Sequence, residues 1–216
     1  MSLGQPTAQA DYDLLRRMRA GEEEAFLALY RRSQGPIYRF ALHMSGSPSI
    51  AEDVTQEVFL VLIEGLDRFD PARGTLPGYL LGISRKLVLR RLEKDRAFLS
   101  LPDEEQAASA NGHAAVLATA PATATNGHSR REVIARVRRA TLTLPANYRE
   151  VVVLCDLQEM SYEEAAEVIG CAVGTVRSRL HRARALLGGK LRELGRPERE
   201  QNFIAGPLPK IARNAS

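Results

Sequence analysis

"SYEEAAEVIGCAVGTVRSRLHRAR", residues 161–184, encodes two helices and the turn between them. Ser161 followed three residues later by Glu164 is a capping box, in which each side chain satisfies a backbone N–H of the first turn, so a helix starts there. Gly170 ends it, because the residue after a helix often adopts a left-handed conformation that glycine reaches without strain. After a turn of about three residues, as helix-turn-helix units require, Val173, Val176, Leu180, Ala183 and Leu187 follow one another at 3-4-3-4 spacing. That spacing winds into one apolar stripe on a second α-helix.

Stepping about 100° per residue from Leu180 puts Ser178 nearly opposite the stripe, with His181 and Arg182 beside it and Arg177 on the flank. The periodicity therefore predicts that these four side chains face away from the core. An α-helix fits the DNA major groove, where arginine holds guanine bidentately and serine or histidine reaches other base edges. Arg179 and Arg184 are better placed for phosphates. A solvated basic face would also carry these arginines, and the capped helix and tight turn before them favour the groove. His181 has no partner at metal-ligand spacing, so no metal is expected.

The charge distribution agrees. Residues 1–96 hold 14 Lys and Arg against 13 Asp and Glu, residues 97–129 hold none against 3, and residues 130–216 hold 16 against 10. The net charge of +4 thus comes from the C-terminal part, which points to a polyanionic partner there. No apolar run approaches the roughly 18 residues of a membrane span, and "MSLGQPTAQADYD" lacks an export signal, so a cytoplasmic location is expected. Cys155 and Cys171 have no metal-ligand spacing and read as buried thiols. There is no phosphate-cradling glycine loop, metal cluster or nucleophile elbow to suggest an enzyme or a bound cofactor.

Upstream, residues 11–96 read as successive helices, with breaks expected at Gly21 and at Gly35-Pro36. Ser47-Pro48 is an N-cap followed by proline at the first helical position, opening a helix to about Leu66. "DPARGT" from Asp70 is a loop, and Pro77 opens a last helix to about Arg96. From Ala107 to Ser129 the chain carries no charge and no large aromatic, a composition that cannot bury enough apolar surface to offset ordering, so a flexible linker is expected. Helices resume at Arg130, break at Leu144-Pro145 and continue to about Leu194, before a proline-rich tail. The fold class is all-α, with two small helical domains at 11–96 and 130–194, a linker at 97–129 and a tail at 195–216.

"LPANYREVVVLCDLQEMSYEEAAEVIGCAVGTVRSRLHRARALL", residues 144–187, resembles region 4 of bacterial RNA polymerase sigma factors of the extracytoplasmic-function type. "AEDVTQEVFLVLIEGLDRFDP", residues 51–71, resembles their region 2.2, and "GTLPGYLLGISRKLVLRRLEKDR", residues 74–96, their regions 2.3 and 2.4. The resemblance implies that the second helix of the helix-turn-helix binds a −35 promoter element, with Arg177, Ser178, His181 and Arg182 as reading candidates. It also implies that the other face of this domain meets the flap of the polymerase β subunit.

On the region 2.2 helix, Asp53, Gln56, Glu57 and Leu60 share one face, opposite Val54, Val58, Val61 and Leu62. The resemblance implies that this face docks on the coiled coil of the β′ subunit. Regions 2.3 and 2.4 imply capture of a −10 element, with Tyr79, Arg85, Lys86, Arg90 and Arg91 as candidates and Lys94 and Arg96 extending the basic helix end. An anti-sigma partner is a common device of the family.

The chain departs from the family's pattern at three places. Tyr79 stands where tryptophan is usual, Lys86 where asparagine is usual, and Ala172 where serine or threonine usually caps the recognition helix. The last change forfeits roughly 1 kcal/mol of local stabilisation. A second reading stays open at this point: a free-standing helix-turn-helix regulator whose N-terminal helices dimerise or sense a signal.

Overall fold

The computed structural model describes residues 8–71, 74–99 and 130–194. The expected linker beyond residue 99 and the tail from 195 lie outside the described residues. Within them the secondary structure is helical, with no strand. The order is α1 (Ala8–Arg19), α2 (Glu23–Ser45), α3 (Pro48–Glu64), a short 3-10 turn (Leu66–Arg68) and α4 (Leu76–Leu99), followed by α5 (Arg130–Leu142), α6 (Ala146–Val152), a π-helical turn (Val153–Leu157), α7 (Tyr162–Ile169) and α8 (Val173–Leu194).

Local chemistry accounts for most of these boundaries. Ser47 Oγ accepts from the Ile50 N–H at 3.3 Å, and Pro48 occupies the first helical position, so α3 starts where its cap allows. At α7 the Glu164 N–H donates to Ser161 Oγ at 3.1 Å while the Ser161 N–H donates to Glu164 Oε2 at 2.9 Å. Both halves of the capping box are therefore made.

The break expected at Gly35-Pro36 does not occur. α2 runs through Pro36, although the proline removes one helical hydrogen bond and crowds the preceding turn, a cost of about 3 kcal/mol in a helix interior. Burial on both sides outweighs it: Ala25, Leu29 and Ser33 before the proline and Ile37, Phe40, Ala41 and Met44 after it line one buried face. Holding that face in register needs a continuous helix.

Region by region, α2, α3 and α4 pack on one another and α1 lies against α2, where Arg32 of α2 pairs with the buried Asp11 of α1 at 2.5 Å. In the C-terminal part α8 packs against α5, α6 and α7. The two parts also touch: α4 packs along α7, and α2 meets α5, α6 and the π-helical turn. The apolar interior is accordingly continuous, from Leu15 and Phe40 through Leu80 and Val88 to Leu154, Val168 and Leu180.

One glycine is required at this junction. Gly46 ends α2 at φ +76°, where a side chain would be strained, and a Cβ there would lie 3.0 Å from Leu142 Cδ1 of α5, which would have to give way.

Candidate nucleic-acid and polymerase interfaces

The helix-turn-helix turns outward the four side chains that the periodicity predicts. Val176, Leu180 and Ala183 are buried, while Arg177, Ser178, His181 and Arg182 are exposed. The Arg177 guanidinium sits over the Tyr162 ring, 6.0 Å from its centroid, which orients it at the start of α7. The other two arginines are engaged within the protein. Arg184 forks onto Asp156, with Nη2 at 2.5 Å from Oδ1 and Nε at 3.1 Å from Oδ2, and this carboxylate raises the guanidinium's pKa. Arg179 lies 3.5 Å from the Glu150 carboxylate.

On α3, Asp53, Gln56 and Leu60 are exposed, with Leu60 at 59%. Val54, Val58 and Leu62 on the opposite side are buried, and Val61 is partly so. Glu57 is half-buried because it accepts from both Arg90 and Arg91 of α4 at 2.7 Å each. A carboxylate of the face read as a polymerase dock is thus shared by two cations read as −10 contacts.

Two of the remaining −10 candidates line a cleft of about 380 Å³ that α4 shares with Phe69, Asp70, Gly74 and Thr75. Tyr79 lies in it and packs on Phe69, with ring centroids 5.4 Å apart; Lys86 lines it further along α4. Arg85 instead donates to the buried Glu150 at 2.8 Å. Glu167 and Val168 of α7 complete the wall of the cleft.

Five residues that the sequence reading did not single out therefore shape these surfaces: Glu150, Asp156, Tyr162, Glu167 and Val168. A signal existed for Glu150, a single carboxylate abutting the apolar run Val151-Val152-Val153-Leu154. A charge beside such a run is buried only if paired.

Cys155 and Cys171 are unpaired thiols, and burial pushes Cys155 up to about 11, so it stays protonated at neutral pH. Among the described residues no cluster of side chains is suited to holding a metal ion. No described helix is long and apolar enough to cross a membrane.

Comparison with known proteins assigns both halves. Residues 29–98 match the family model of sigma-70 region 2, and residues 134–187 match that of sigma-70 region 4. The ECF RNA polymerase sigma factor SigE of Mycolicibacterium smegmatis is 33% identical over 85% of this chain and 67% of its own length. EcfG of Rhodopseudomonas palustris is 33% identical over 70% of this chain and 77% of its own.

This chain is an ECF RNA polymerase sigma factor.

As such it is a promoter-specificity subunit of RNA polymerase. The region 2 match also decides between the two readings that the sequence left open, because it covers the helices that a free-standing regulator would use to dimerise or sense. Two solved structures share the fold. CnrH in complex with the cytosolic domain of CnrY superposes with a TM-score of 0.61 at 26% identity, covering 83% of this chain and 96% of that one. RpoE of Bartonella quintana, in complex with the anti-sigma factor NepR, gives 0.60 at 26% identity over 79% of this sigma factor and 98% of that chain.

Proposed function

We propose that this sigma factor guides core RNA polymerase to promoters by reading a −35 element with α8 and a −10 element with α4. The carrying observation is the outward row Arg177, Ser178, His181 and Arg182, set opposite a stripe whose Val176, Leu180 and Ala183 are sealed in the core. A rigid helix with that division inserts into a major groove without disturbing its own packing. Arg184 contacts phosphate, exchanging Asp156 for the backbone when DNA arrives, and Arg179 does likewise from Glu150. Tyr79, Arg85, Lys86, Arg90 and Arg91 engage the −10 element, the aromatic ring by stacking and the cations through phosphates.

The α3 face of Asp53, Gln56, Glu57 and Leu60 docks on a basic helix pair of the β′ subunit, and region 4 meets the β flap. Recognition and strand separation draw on binding energy alone, so the protein acts without a cofactor or a reaction of its own, in the cytoplasm. A protein partner that restrains it fits the company a solved relative keeps, since RpoE of Bartonella quintana was captured with the anti-sigma factor NepR.

The docking assignment is tested by charge and polarity reversal on α3. Asp53→Lys and Leu60→Asp, each exposed, should leave the melting midpoint unchanged and weaken co-elution with purified core polymerase at least tenfold. Undiminished co-elution of both variants would remove α3 as the dock.

A further inference from the structure

Two helices of region 4 carry their apolar stripes past the core. On α8 the spacing of Val176, Leu180 and Ala183, all buried, continues through Leu187 and Leu191 to Leu194. Burial fades along it: Leu187 and Leu191 are partly buried, and Leu194 is 39% exposed. On α5, which packs against α8, Val133, Ile134 and Val137 share a face with the buried Ala140 and Thr141. Val133 and Ile134, at the start of that face, are 41% and 43% exposed. Stripes that outlast their core leave apolar surface in water, which favours whatever covers it.

A candidate to cover them follows directly in the sequence. Leu194 is succeeded by Gly195 and then by Pro197, a pairing that stops a helix and turns the chain aside. Residues 195–216, which lie outside the described residues, carry Phe203, Ile204, Leu208 and Ile211. Phe203 stands nine positions after Leu194, a reach of about 30 Å when extended. Going back along α8 from Leu194 to Leu187 takes only about 10 Å.

Attachment favours this segment over a separate molecule. The uncovered stripes are a handful of side chains, far short of the roughly 20–30 residues a side of a stable contact between proteins. A segment tethered to the end of α8 meets them at an effective concentration on the order of millimolar. A contact too small to hold a free partner is then enough.

We infer that residues 195–216 fold back on region 4, with Phe203 and Ile204 covering the uncovered stripes of α8 and α5. The tail is an internal partner for this face. The stripe of α8 lies opposite Arg177, Ser178, His181 and Arg182, so the covered face and the outward row are separate. A protein that docks on the covered face has first to displace the tail.

Hydrogen–deuterium exchange of the full chain, read by mass spectrometry without any partner, tests this. Backbone amides of residues 131–139 and 187–194 should exchange at least fivefold more slowly in the full chain than in a chain ended at Gly195. The full-length double variant Phe203→Asp, Ile204→Asp keeps the tail's length and should exchange like the shortened chain. It also provides the comparison if shortening disturbs α8.

Equal exchange in the full chain and in both variants overturns the inference. So does protection that rises with protein concentration and disappears in the monomer, because a second copy would then be the occupant.

Discussion

Arg91 of α4 donates to Glu57 of α3 at 2.7 Å, so a residue of the proposed −10 surface is held by a residue of the proposed polymerase dock. Arg90 takes the other oxygen of the same carboxylate. Glu57→Gln removes the charge with which both are paired. The pairs are partly exposed, the Arg90 side chain at 57%, so stability should change by no more than about 1 kcal/mol. Core polymerase affinity should fall severalfold, and binding of the isolated protein to single-stranded DNA should rise as two cations are released. Titration of each partner, alongside thermal melting, checks the three outcomes.

Arg177 and Arg184 should differ in what they lose. Arg177 faces outward over Tyr162, so Arg177→Ala should cost about 1–3 kcal/mol on the cognate −35 element and little on random duplex. Arg184→Ala should weaken binding to all sequences alike and lower the salt slope by about one. Holoenzyme binding to matched and scrambled −35 sites separates the two patterns. Equal losses on both DNAs for both variants would contradict the assignment.

The two caps of the helix-turn-helix make opposite predictions. Ser161→Ala breaks a complete capping box and should lower stability by about 1 kcal/mol. At the start of α8, the Thr175 N–H reaches only the Ala172 carbonyl, at 2.9 Å, because Ala172 has no side-chain acceptor. Ala172→Ser should supply one and raise stability by up to about 1 kcal/mol. Thermal or urea melting of the full chain reads both changes.

His43 predicts an acid limit. Burial, with help from the positive charges of Arg138 on α5 and Arg39 on its own helix, lowers its pKa from 6.5 to about 4. The unfolded chain binds a proton near pH 6.5 that the folded site refuses until about pH 4. The stabilisation is therefore complete above pH 6.5 and is lost progressively as pH falls toward 4. Melting midpoints measured from pH 7.5 downward should show this decline, and His43→Gln should flatten it. A wild-type midpoint that stayed level between pH 6.5 and 4.5 would refute the burial assigned to this imidazole.

Much of the helical architecture was legible because its signals are local. The capping box at Ser161 and Glu164, the Ser47-Pro48 helix start and the 3-4 stripe of α8 each lie within a few residues, and each is realised in the structure. Pro36 was misread for the opposite reason: the rule that proline breaks helices is local, whereas the burial of Leu29, Ile37 and Phe40 that overrides it comes from α3 and α4.

The same distinction separates the two classes of site residue. Exposure of Arg177, Ser178, His181 and Arg182 follows from their position on one helix. The engagement of Arg85 and Arg179 by Glu150 joins residues 65 and 29 positions away, which no periodicity encodes. Asp156 likewise lies 28 residues from Arg184, on the far side of α7 in sequence.

The most direct test of the central claim is run-off transcription from a genomic promoter library with purified bacterial core polymerase, with and without this sigma factor. Protein-dependent transcripts should appear whose start sites follow −35 and −10 motifs at fixed spacing, with the −35 preference relaxed by Arg177→Ala. No protein-dependent transcripts, together with tight binding of the isolated chain to duplex DNA and none to core polymerase, would contradict it.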